Sequence, residues 1–120
     1  MLRILAEGLI STDLVPLYRP GVGVYSRLTH LWVSNTSSGL PVLQVFLDNV
    51  RAAEATLAHM ATSKRIYRIE LKADETFDLI GDGDEWGLQP GYVVKVQSSI
   101  ADSVTFVLMG EETVSRGRPQ

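Results

Sequence analysis

The chain has no cysteine. That excludes a disulfide framework and any zinc site built on thiolates. Histidine is almost as scarce, with only His30 and His59, so side chains that titrate near neutral pH without perturbation are few. Cations are outnumbered: 11 Lys and Arg stand against 14 Asp and Glu, for a net charge of −3. Gripping a nucleic-acid backbone needs a cationic face, so no nucleic-acid partner is expected. No window approaches the ~18 uninterrupted apolar residues of a membrane-spanning helix. The opening MLRILAEGLI is interrupted by Arg3 and Glu7 and lacks the plan of a secretory signal. The expectation is a soluble protein made in the cytoplasm, with no signal peptide and no membrane partner.

What is present is alternation. At 120 residues and 45% hydrophobic the chain is long enough for one domain with an ordinary core. Leu43, Val45 and Leu47 fall on one side of Val42–Asp48, and Val42, Gln44, Phe46 and Asp48 on the other. A period of two is what a strand with one buried face requires. Leu28–Ser34 alternates less cleanly, setting Thr29, Leu31 and Val33 against Leu28, His30, Trp32 and Ser34. Between the two segments lies the turn-forming cluster Asn35-Thr36-Ser37-Ser38-Gly39, which predicts a central β-hairpin.

The same pattern predicts strands over Leu2–Ile10, Leu14–Tyr18, Lys64–Lys72, Thr76–Ile80, Tyr92–Ser99 and Val104–Glu111. Pro16 confines the second of these to a sheet edge. Gly81–Gly91 reads as a long acidic loop closed by the turn Pro90-Gly91. Val50–Ser63 breaks the β pattern: Ala53, Leu57, Met60 and Ala61 recur at helical spacing, which predicts a short helix or helical loop near residues 50–63. The fold expected is all-β, an antiparallel β-sandwich or jelly roll of about eight strands. Residues 1–112 form its single domain and 113–120 a flexible tail.

Catalytic groupings do not assemble from this sequence. Neither histidine has companions at metal-ligand spacing. Asp82-Gly83-Asp84-Glu85 could offer oxygen ligands to calcium, but a helix-flanked calcium loop needs them at alternate positions with a late glutamate, and Trp86 takes one of those places, so a solvated surface loop is expected. Gly21-Val22-Gly23 lacks the remainder of a phosphate loop, and no nucleophile elbow is present. Asn35-Thr36-Ser37 matches a glycosylation sequon but is expected to stay unmodified without a signal sequence. The expectation is therefore no enzyme activity, no metal and no cofactor. The remaining signal is apolar side chains on faces that the alternation does not assign to the core. Leu5 and Leu9 give the first strand a second apolar face, Trp32 and Phe46 lie opposite the best core positions, and Trp86 sits in a loop. Such residues mark either a subunit contact or a sugar-stacking platform, the latter with Trp32, Trp86 and Tyr92 as its rings.

Three stretches together resemble a family of small tailed-bacteriophage virion proteins: LYRPGVGVYSRLTHLWVSNTSSG (Leu17–Gly39), IYRIELKADETFDLIG (Ile66–Gly81) and LQPGYVVKVQSSIADSVTFVLMGEE (Leu88–Glu112). They occur in the family's order and cover more than half the chain. Where the family often has Gly-Asp before the penultimate strand, this chain has Gly91-Tyr92. The resemblance implies a virion structural protein, foremost a capsid decoration protein that binds and stabilises the assembled particle. Its partners would be the major capsid protein or other virion proteins, and it would form a homo-oligomer, with a trimer the first expectation. A neck or tail accessory protein, or a carbohydrate-binding module on the tail, is the alternative. The expected interface residues are Leu5, Leu9, Trp32, Phe46, Trp86, Arg116 and Arg118, with the two arginines on a tail lying across a neighbouring subunit.

Overall fold

The computed structural model describes residues 2–49, 64–81 and 83–114. These residues form nine strands: β1 (Arg3–Leu9), β2 (Val15–Tyr18), β3 (Val24–Asn35), β4 (Val42–Asn49), β5 (Lys64–Glu70), β6 (Thr76–Asp78), β7 (Trp86–Leu88), β8 (Tyr92–Ser98) and β9 (Val104–Val114). One sheet has the order β1-β9-β3-β6, with β7 also pairing β3; the other has the order β2-β8-β4-β5. Every pairing is antiparallel. With β6 and β7 sharing one position beside β3, this is the eight-position double sheet of a jelly roll. The expected all-β sandwich is the observed one. The helix expected near residues 50–63 lies outside the described residues.

Alternation builds the core as the sequence suggests. Leu31, Val33, Val104 and Leu108 of the first sheet meet Leu43, Val45, Val94 and Val96 of the second, all buried. Each such side chain contributes roughly 1.5–3 kcal/mol by leaving water. Tyr67 and Ile69 on β5 and Phe77 on β6 pack against this cluster, and Leu71 is fully enclosed. Pro16 lies on β2, an edge strand, where its missing donor is harmless.

Three local readings are corrected. First, β3 and β4 do not form a hairpin; they belong to opposite sheets. The intervening turn crosses the sandwich because other loops take its backbone bonds: Thr36 N–H donates to Ser103 O at 2.8 Å, and Pro41 O accepts from Leu71 N–H at 3.0 Å. Asn35, buried at the turn's entry, uses its whole amide. Its Nδ2 donates to Gly39 O (2.8 Å) and Leu71 O (3.1 Å), and its Oδ1 accepts from the N–H (2.9 Å) and hydroxyl (2.8 Å) of Ser37. That engagement also leaves no room for a glycan on Asn35 in the folded domain. Second, a register shift between Leu28 and His30 turns the face of β3, so Leu28 is buried together with Leu31 and Val33. Third, Gly81–Gly91 is not all loop, since β7 pairs with Ser26–Leu28.

The β9 strand runs on to Val114, where Thr113 and Val114 pair with Tyr25 and Val24. Thr113 and Val114, expected in the tail, are thus part of the sheet, and residues 115–120 lie outside the described residues. At that end of the molecule a polar cluster ties the sheets together. The Tyr18 hydroxyl, from β2, bonds Ser26 Oγ at 2.6 Å and donates to Glu112, which also receives Arg3. Burial, followed by the hydrogen bond to the Glu112 carboxylate, pushes the Tyr18 phenol up to about 12.

Candidate functional site

The outward-facing side chains of the first sheet form one surface. Paired residues on neighbouring strands share a face, and the registers give three rows across it: Ile4, Met109 and His30; Glu7, Val107, Trp32 and Asp78; Leu9, Thr105 and Ser34. Ile4 is 51% exposed, Leu9 57% and Trp32 40%. These, with half-buried Val107 and Met109, make an apolar strip set among Glu7, His30, Asp78, Thr105 and Ser34, and no described residue covers it. The strip ends at β1, whose second edge pairs with no described strand. An open edge carries unpaired N–H and C=O groups ready to meet another chain.

Trp32 is held in place. Its ring stacks on His30, with centroids 5.8 Å apart and planes at 18°. The imidazole Nδ1 lies 2.7 Å from Asp78 Oδ2. Asp78 Oδ1 accepts the N–H groups of Leu31 (2.9 Å) and Ile80 (3.2 Å). Desolvation alone would raise the Asp78 carboxyl, but these bonds, His30 foremost, hold it below the ordinary aspartate value. Among the described residues, His30 has no hydroxyl nucleophile as a hydrogen-bond partner. At one end of the strip Arg27 reaches Glu111 (2.5 Å) and Glu85 (3.4 Å); the guanidinium keeps the Glu111 carboxyl lowered.

A second concavity opens between the sheets. Leu47, Ile66 and Tyr67 line it from β4 and β5, and Leu79, Ile80, Trp86 and Leu88 line it from the first sheet and its loop. The cleft measures about 590 Å³, and the exposed carboxylates of Asp84 and Glu85 stand beside it. The half-buried rings of Tyr67 and Trp86 form no hydrogen bond with any described residue through hydroxyl or indole N–H.

The expected interface residues therefore separate. Leu9 and Trp32 share the outer face of the first sheet. Leu5 sits at the register shift of β1 and packs partly against the core. Phe46 lies on the outer face of the other sheet, paired with Lys95 and Arg65. On that same face Lys95 forms a 2.9 Å ion pair with the fully buried side chain of Asp48. Trp86 lines the cleft, while Arg116 and Arg118 lie outside the described residues. Of the three rings offered as a sugar platform, Trp32 stands on the outer face of the first sheet, whereas Trp86 and Tyr92 both pack against the core.

Ile4, Val107, Met109, Asp78 and Tyr67 were not singled out by sequence reasoning. Alternation placed Val107 and Met109 opposite core positions, which was a usable signal. Nothing local pairs His30 with Asp78, 48 residues away. Among the described residues no group of three or more His, Cys, Asp or Glu side chains is placed to hold a metal ion, and no helix is long and apolar enough to cross a membrane. Comparison with protein-family models, characterised proteins and solved structures finds no match.

Proposed function

We propose that this protein is a structural component of a phage particle, a capsid decoration protein that docks on the assembled shell and stabilises it. The observation that carries the reading is the uncovered apolar strip of the first sheet, continuous with the open edge of β1. Contiguous exposed apolar surface of this kind marks interaction sites. Two contacts are available together: the strip against a flat partner such as the major capsid protein, and the β1 edge against a strand of another copy, as in a homo-oligomer. The jelly roll is a frequent scaffold of capsid and lectin domains. Trp32 is suited to be the anchor, since aromatic residues dominate interface energetics and this one is already oriented by His30. A position at the neck or tail would use the same surfaces.

The test is co-sedimentation of the purified chain with particles assembled without it. Wild type should pellet with the particles and saturate. Leu9→Glu and Trp32→Glu, with wild-type circular dichroism, should remain in the supernatant. Wild-type-like pelleting of both variants, or no pelleting of wild type, would reject the reading.

A further inference from the structure

We infer that the cleft between the sheets is a binding site for a neutral saccharide, a second function separate from the docking strip. Its volume of about 590 Å³ falls within the roughly 300–1,000 Å³ of ligand pockets. Its chemistry is mixed in a particular way. Trp86 and Tyr67 present ring surface, and their indole N–H and phenol remain available as donors. The Asp84 carboxylate offers acceptor oxygens and makes no side-chain hydrogen bond or ion pair with a described residue.

A pyranose matches all three demands. Its C–H face covers an aromatic ring, while its hydroxyls both donate to a carboxylate and accept from N–H or O–H. A purely aliphatic ligand would desolvate Asp84 with no compensation. A cationic ligand would compete with Arg27, which already lies 3.4 Å from Glu85. Leu47 and Leu79 from opposite sheets supply the apolar walls. The ring pair is Trp86 with Tyr67, so neither Trp32 nor Tyr92 takes part.

The experiment offers the labelled full chain, without particles, to an array of neutral and acidic oligosaccharides. The strongest neutral hit is then titrated while tryptophan emission is followed. Saturable binding with an emission shift is expected. Asp84→Asn should weaken it about tenfold or more, because a hydrogen bond to a charged group is involved, and Tyr67→Phe should weaken it several-fold. Both substitutions keep side-chain volume and remove no existing bond, so folding is not at stake. Absence of binding to any glycan overturns the inference, as does binding that neither substitution changes. Preferential binding of a basic apolar peptide, acetyl-Leu-Lys-Leu-amide, overturns it too. Because no particle is present, this result and the co-sedimentation result can fail independently.

Discussion

Replacing Gly110 by alanine should destabilise the domain by roughly 2–4 kcal/mol, although the change adds one methyl group. Gly110 is buried on β9 and pairs with Leu28 of β3 and Arg3 of β1, opposite the place where β3 shifts register. A Cβ built there would stand 3.0 Å from Leu28 Cα and 3.1 Å from the Arg27 carbonyl carbon, and closer still to the Arg27 carbonyl oxygen. All three are backbone atoms, so no rotamer change relieves the overlap; the strands must separate locally. Overpacking of this kind costs about 1–3 kcal/mol. Weakening a ladder hydrogen bond between buried strands adds about 1 kcal/mol more. For a domain with roughly 5–15 kcal/mol of total stability the loss is large. Urea denaturation followed by tryptophan fluorescence would measure it. Gly39→Ala is the internal control, because its Cβ would meet the Ile100 side-chain tip at 3.1 Å, a group that can move. A Gly110→Ala midpoint within about 0.5 kcal/mol of wild type would refute the argument, since the close approach of β3 and β9 would then be soft.

Asn35→Ala should cost about 2–4 kcal/mol in the same assay, because it strands the carbonyls of Gly39 and Leu71 and the N–H of Ser37. Lys95→Met should lower the denaturation midpoint, since it removes a 2.9 Å ion pair from the fully buried side chain of Asp48. Tyr18 shapes the alkaline limb of the stability curve. Between its unfolded value of 10.0 and its folded value of about 12, the unfolded chain releases the proton while the native state keeps it, so stability falls as pH rises. Tyr18→Phe should flatten wild type's decline over that window in paired denaturation curves. Asp78 acts at the other end: its lowered carboxyl contributes stability above its unfolded value of 3.8 that is lost as pH falls through the folded value. Asp78→Asn should therefore flatten the acid limb.

Alternation carried most of the fold because its period is set by the strand itself. Tyr67, Ile69 and Leu71 against Arg68 and Glu70 could be read directly, as could Val104, Phe106 and Leu108; the core contains Leu71, Val104, Phe106 and Leu108, and Tyr67 and Ile69 pack against it. The misreadings occurred where one extra residue changes the phase. At Leu28–His30 strict alternation puts Leu28 outside with Trp32, whereas the register shift buries it. Leu5 fails for the same reason on β1. The hairpin over residues 28–49 was a different error. Residues that favour tight turns also favour a crossing between sheets, and only the distant partners Ser103 and Leu71 decide between the two. β7 is three residues around a glycine, too short for any period to show. Of the functional surfaces, Leu9 and Trp32 were legible as apolar residues off the core face. Their neighbours on the strip depend on registers joining β1, β9 and β3, which span the length of the chain.

The irregularity in β3 also links the fold to the proposed docking. Without the extra residue at Thr29, Leu28 and Leu31 could not both enter the core, and the burial of Leu28 would compete with the exposure of Trp32. The shift separates those demands. It keeps His30 and Trp32 adjacent on the outside while β6 brings Asp78 opposite Trp32. Asp78, fixed by the Leu31 and Ile80 N–H groups, then sets the imidazole on which the indole stacks. An exposed tryptophan already ordered in this way loses little conformational freedom when a partner covers it, and affinity benefits from that saving. Removing the His30 ring should therefore weaken particle binding even though His30 contributes less contact area than Trp32. The order of effects follows: Trp32→Ala largest, His30→Ala next, and Asp78→Asn smallest, because an amide can still accept from both backbone N–H groups.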